Sequence, residues 1–325
     1  MKTTMLTAST LALTLALGAA AASAETWDMP VAYPASNFHT ENAVEFAACV
    51  GERTGGELEV VVHPNGALFS GTDIKRAVQT GQAPIGERLL SAHENENKLF
   101  GIDAVPFLAT SFEASDKLWN AARPKLEEAL AAQDLVYLYA APWPPQGLYT
   151  KKPVESVADL QGVKFRAYNA ATSRIAELAG LIPVQIEAAE LSQALATGVA
   201  ESFISSGSTG VDSKVWESLT HWYDVQAWLP RNVVFANKSA FEALDDATRA
   251  ALTECGDEAA ARGTAAAMAM ADDMIAELRA NGMTVEPPSD QLRAELEGFG
   301  QTMTDEFLAE TGADGQAIID AYRAE

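Results

Sequence analysis

The sequence predicts an α/β protein built from two similar domains. Three observations carry this reading: short apolar runs alternate with helix-periodic segments, the β-α-β order occurs in two separate blocks, and a proline-rich stretch divides them.

In the first block, residues 26–32 read as a strand. A helix follows, with Ala43, Phe46, Ala47 and Val50 on one face, and it stops at Thr54-Gly55-Gly56, where glycine takes the left-handed conformation. Residues 58–62 form a second strand. A short helix then turns Ile74, Ala77 and Val78 inward and stops at Gly81; residues 84–90 are a third strand. In the second block, residues 135–141 and 163–167 are strands. The latter places Val163, Phe165 and Ala167 on one face and Lys164, Arg166 and Tyr168 on the other. Helices at about 171–179 and 189–197 end at Gly180 and Gly198, with strands near 182–186 and 201–205.

Ala141-Pro142-Trp143-Pro144-Pro145-Gln146-Gly147 suits neither a helix nor a ladder and is the expected crossover between domains. A second crossover is expected near Leu229-Pro230-Arg231-Asn232, before a strand at 233–237. The alanine-rich stretch 245–280 is one long helix ending at Asn281-Gly282. Ser289 caps a last helix with an apolar stripe of Leu292, Leu296, Phe299 and Met303. The expected partition is 25–147 plus 233–275 for domain I and 148–232 plus 276–325 for domain II.

Residues 1–24 combine Lys2, a short apolar run and Ala22-Ser23-Ala24, the pattern of a cleaved secretory signal. The expected mature protein is therefore exported and periplasmic, and no later stretch approaches the ~20 apolar residues of a membrane helix. The chain holds 22 basic and 45 acidic residues, net −23, which argues against nucleic acid and anionic membranes as partners. It does not exclude a small anion, because one buried arginine overrides the net field locally. Export permits a disulfide between the only two cysteines, Cys49 and Cys255, although two separately buried thiols fit the sequence equally well.

Catalytic signatures are missing. The four histidines lack metal-ligand spacing, and neither a nucleophile elbow nor a P-loop occurs, so no metal and no cofactor are expected. Ser206-Gly207-Ser208-Thr209-Gly210 is glycine- and hydroxyl-rich, and of its two readings, an oxyanion-binding loop and a turn, the turn is favoured. Arg166 stands out instead. It ends a strand of an α/β unit, where ligands sit beyond carboxyl ends, and a guanidinium there can grip a carboxylate through two parallel hydrogen bonds. Arg88 and Asn169 are candidate helpers, and Phe38, Trp143, Tyr168 and Tyr223 candidate apolar walls.

Four stretches carry a family resemblance: Phe46-Ala47 through Thr54-Gly55-Gly56-Glu57-Leu58 to His63-Pro64-Asn65-Gly66-Ala67-Leu68; Ala77-Val78-Gln79-Thr80-Gly81; Asp103-Ala104-Val105-Pro106-Phe107-Leu108; and Asp159-Leu160-Gln161-Gly162-Val163-Lys164-Phe165-Arg166 followed by Glu190 to Val199. In this order they resemble the solute-binding proteins of tripartite ATP-independent periplasmic (TRAP) transporters. The resemblance implies a two-domain periplasmic binding protein fold with crossing hinge strands and a long interdomain helix, closing on a ligand. It also implies that Arg166 pairs with the ligand carboxylate and that integral membrane permease subunits are the partner. Where the family usually carries an acidic-Asn-Pro motif, with an asparagine that often contacts ligand at the position of Ser205, this chain has Ile204-Ser205-Ser206.

That departure points away from highly polar dicarboxylates and sugar acids, towards a small monocarboxylate with an apolar or aromatic body. Burying about 100 Å² of such a body contributes about 2.5 kcal/mol, nearly two decades of affinity. The competing functions are a ligand-sensing receptor using the same cleft and an exported hydrolase; the latter lacks any nucleophile–base spacing.

Overall fold

The computed structural model describes residues 24–324. All but the last residue of the expected signal peptide lies outside the described residues. No helix among those described is long and apolar enough to cross a membrane.

The first lobe opens with β1 (Glu25–Pro30), α1 (Phe38–Arg53) and β2 (Leu58–His63), the two strands pairing in parallel. Then come α2 (Ile74–Gln79), β3 (Ile85–Leu89), a 3-10 turn over Lys98–Ala104, α3 (Phe112–Ala131) and β4 (Leu135–Pro142). The chain crosses over and builds the second lobe from β5 (Gly147–Thr150), β6 (Lys164–Ala167), α4 (Ala170–Leu178), β7 (Ile182–Gln185), α5 (Leu191–Ala196), β8 (Ser202–Ser205), α6 (Gly207–Asp212) and β9 (His221–Tyr223). It returns through β10 (Arg231–Asn237), α7 (Lys238–Ala243) and α8 (Asp246–Ala280), and ends with β11 (Thr284–Glu286) and α9 (Asp290–Ala324). The helix stops anticipated at Gly55, Gly81, Gly180 and Gly198 all have positive φ.

The sheets explain how the lobes join. In the first lobe β10 lies between β3 and β4 and runs against both. In the second, the order is β11-β9-β5-β8-β6-β7, and β5 alone runs against the other five strands. Each lobe is thus completed by one strand arriving from the crossover against the local direction.

Two corrections concern these crossovers. The expected gap at 141–147 is narrower, because β4 extends to Pro142 and a ladder resumes at Gly147; likewise β10 already begins at Arg231. The segments 143–146 and 227–230 also pair with each other. Trp143 N–H donates to the Pro230 carbonyl (2.8 Å), Gln146 N–H to that of Trp228 (3.1 Å), and Ala227 N–H to that of Gln146 (3.0 Å). Proline removes donors from this ribbon but leaves carbonyls free to accept, which is why it survives Pro142, Pro144, Pro145 and Pro230.

The long helix α8 packs on α1 and β4 in the first lobe and on α6 and β11 in the second. Its low-profile alanines and Gly256, whose Cα sits against the Leu138 carbonyl, allow this close approach. The expected second domain takes in 276–325, yet the packing of that stretch is shared. Leu292, Leu296 and Met303 join the core containing Val154, Leu160 and Ile175, whereas Phe307, Ile318 and Ile319 pack with Leu118, Trp119 and Leu126 of α3. α9 kinks at Gly312 (φ 58), between Phe307 and Ile318, so both sides of the kink pack on α3.

Cys49 and Cys255 form a disulfide that ties α1 to α8, with Cα atoms 5.9 Å apart and 206 residues of sequence separation. Reduction restores conformational freedom to a long loop in the unfolded chain and should lower stability by about 2–5 kcal/mol. An unchanged urea midpoint after verified reduction would contradict this.

Asp103 gives a second expectation. It is fully buried, accepts from the Arg231 N–H (2.7 Å) through Oδ2, and leaves Oδ1 without a partner. Burial, against the pull of Arg231, raises its pKa from 3.8 to about 7. Between these values the folded state binds more protons than the unfolded, so stability falls as pH rises from about 4 to about 7 and is then flat for this group. Asp103→Asn keeps an acceptor without the charge. Its stability relative to wild type should therefore improve progressively across that window in urea titrations, and a pH-independent difference would refute the assignment.

Candidate ligand-binding cleft

The carboxyl ends of the parallel strands β6, β7 and β8 converge on the crossover ribbon and face the ends of β1 and β3. Between them lies a cavity lined by Tyr33, Arg88, Trp143, Arg166, Tyr168 and Glu187, with Gln146, Ser205 and Thr209 adding polar atoms. This is where open α/β sheets place ligands.

Arg166 is only 4% exposed. Its Nε donates to the Ile186 carbonyl (3.0 Å), and its guanidinium carbon stands 4.7 Å from the centre of the Tyr168 ring. Lys75, Arg88 and Arg231, the other buried basic side chains among the described residues with a permanent charge, pair with Glu96, Glu187 and Asp116. Arg166 has no carboxylate within 4.0 Å among the described residues. Burial pulls its pKa below the ordinary value, opposed in part by Glu187, but arginine remains charged. The arrangement is a fixed, desolvated cation turned towards a cavity.

Neighbouring groups hold it in place. Tyr168 OH donates to Gln146 Oε1 (3.1 Å), and Gln146 Nε2 donates to the Pro144 carbonyl (2.8 Å), so the ring under Arg166 is anchored to the crossover ribbon. Burial raises the phenol pKa of both Tyr168 and Tyr33, the latter to about 12, which keeps these walls neutral. Trp143 closes the apolar side. Its Nε1–H donates to Asn232 Oδ1 (2.8 Å), while Asn232 Nδ2 donates to Glu87 Oε1 (3.0 Å) and His39 Nδ1 lies 3.3 Å from that oxygen.

Of the residues singled out from sequence, Arg166, Arg88, Trp143, Tyr168 and Ser205 line the cavity. Three do not. Phe38 meets Trp143 edge-on at 5.3 Å and supports it from behind. Asn169 caps α4 through Thr172 and donates to Ser91 Oγ (3.0 Å), so its amide is already engaged. Tyr223 sits on β9, where its OH accepts from Val154 N–H (2.7 Å). Arg88 is in the wall but is not a free clamp, because both terminal nitrogens donate to Glu187 at 2.9 Å. Ser206 through Gly210, expected as a turn, instead begins α6, with Ser206 as its cap and Thr209 in the wall. Tyr33, Gln146 and Glu187 carry no local sequence signal for this site, whereas Thr209 belongs to the hydroxyl-rich segment for which the sequence favours a turn over an oxyanion-binding loop.

Comparison with known proteins agrees with this geometry. The model of bacterial extracellular solute-binding protein family 7 matches residues 31–311. A TRAP solute-binding protein from a marine metagenome, described as specific for pyroglutamate and crystallised with co-purified pyroglutamate, is 56% identical; the match covers 93% of this chain and 99% of that one, with a TM-score of 0.92. DctP6 of Bordetella pertussis, an extracytoplasmic solute receptor binding pyroglutamic acid, is 46% identical over 92% of this chain and all of its own, with a TM-score of 0.91. The Comamonas testosteroni protein named outer membrane transporter protein TsaT is 25% identical, covering 86% of this chain and 85% of its own. The chain belongs to bacterial extracellular solute-binding protein family 7 and is a TRAP solute-binding protein.

Proposed function

We propose that this protein captures pyroglutamate, or a cyclic monocarboxylate of the same size, in the periplasm and delivers it to a TRAP permease. It acts as a receptor and not as a catalyst, and its signal peptide is removed on export. The observation that carries this reading is Arg166, a buried cation without a counter-ion among the described residues, on a cavity between two lobes. In this reading the ligand carboxylate takes the vacant donors of Arg166, and the ring lies against Trp143 and Tyr33. The lactam N–H and C=O meet the polar atoms of Ser205, Thr209 and Glu187. Two relatives at 46% and 56% identity, described as pyroglutamate binders, support the ligand class.

Closure excludes water from the ion pair, which strengthens it. Only a ligand with higher affinity for the closed form can drive that closure. Calorimetry with L-pyroglutamate should show tight binding. Arg166→Ala should weaken it at least about 30-fold, the lower end of the about 2–5 kcal/mol for truncating one partner of a buried charge pair. Arg166→Lys should restore little, because the two-pronged geometry is lost. Unchanged affinity in Arg166→Ala would sink the clamp, and thermal stabilisation by C4-dicarboxylates or sugar acids alone would sink the ligand class.

A further inference from the structure

Three charged side chains line the cavity: Arg88, Arg166 and Glu187. Two arginines facing one small cavity are the natural receptor for a dianion, with one guanidinium for each carboxylate. Here one of the two is already taken. Arg88 donates two parallel hydrogen bonds of 2.9 Å to the carboxylate of Glu187, and the Arg88 side chain is 5% exposed. A third segment covers the pair. A Cβ at position 71 would stand 2.3 Å from Glu187 Oε2 and 2.6 Å from Arg88 Nη1, so only glycine allows the 70–73 loop to press against it.

We propose that Glu187 is the specificity-determining residue for ligand charge: by occupying Arg88 it converts a two-arginine cavity into a site for one carboxylate. The wall then carries two positive charges and one negative, a net +1 that a monoanion neutralises. A dicarboxylate would bring a second negative charge beside Glu187 with no cation to meet it, and an uncompensated buried charge is strongly disfavoured. Two buried carboxylates nearby are absent from the wall: Glu87 faces His39 and Asn232 behind Trp143, and Asp103 accepts from the Arg231 N–H. The device is repulsive as well as attractive, as discrimination between similar ligands requires. It rests on the reading that Arg166 takes the ligand carboxylate.

The test compares L-pyroglutamate with glutarate, a five-carbon dicarboxylate, by calorimetry at fixed pH and salt. Wild type should prefer pyroglutamate at least 100-fold. Glu187→Gln, which keeps the shape but frees the charge of Arg88, should reduce that preference at least tenfold by tightening glutarate binding. The double variant Arg88→Gln/Glu187→Gln should lose the gain, since no second cation remains. Wild-type protein that binds glutarate as tightly as pyroglutamate overturns the proposal without any variant. A Glu187→Gln preference equal to wild type, or a gain retained in the double variant, overturns it as well. If Arg166→Ala abolishes pyroglutamate binding while Glu187→Gln leaves the preference unchanged, the clamp stands and only the role of Glu187 fails. Unchanged pyroglutamate binding in Arg166→Ala removes the clamp itself.

Discussion

A guanidinium buried without a counter-ion is expensive for a folded protein to keep, by several kcal/mol even after relaxation. Arg166 is kept nonetheless, and much of the architecture serves to hold it. One carbonyl, from Ile186 after β7, takes its Nε, and the Tyr168 ring lies beneath its charge. That ring is fastened through Gln146 to Pro144 in the crossover ribbon. The side chain therefore cannot swing out to solvent to recover hydration. The charge is thus held in one orientation at the cavity, which is the physical meaning of a preorganised site.

The rest of the cavity is arranged so that this single charge dominates. The two phenols are kept neutral by burial, and Trp143 is fixed by a chain of hydrogen bonds through Asn232 to Glu87. Arg88, the other arginine in the wall, is paired with Glu187. A protein of net charge −23 can accordingly bind an anion, because the field inside the cavity is set by groups a few ångströms away and little by the screened surface.

The two-lobe architecture was largely legible in the sequence because period-2 and period-3.6 patterns and glycine stops are local signals. Some elements were not. The 20-residue α3 carries Pro124 in its interior, which reads as a breaker, yet burial of Leu118, Trp119, Ala122, Leu126 and Leu130 at helical spacing overrides it. The three- and four-residue strands β5, β9 and β11 are too short to show a period. In the site, Arg166 was legible from strand parity and Trp143 from its proline-rich surroundings. Glu187 was one of 45 acidic residues, and Tyr33, Gln146 and Thr209 come from segments far apart in sequence. Only the fold brings them together. The same limit explains Phe38, Asn169 and Tyr223: an aromatic or amide near the right strand in sequence can face either the cavity or the packing behind it.

The pairing of the two crossover segments has a mechanical consequence. Because 143–146 and 227–230 share backbone hydrogen bonds, neither can twist without dragging the other. Gln146 belongs to this ribbon, so any movement of the ribbon is felt through its hydrogen bond by the Tyr168 ring beneath Arg166.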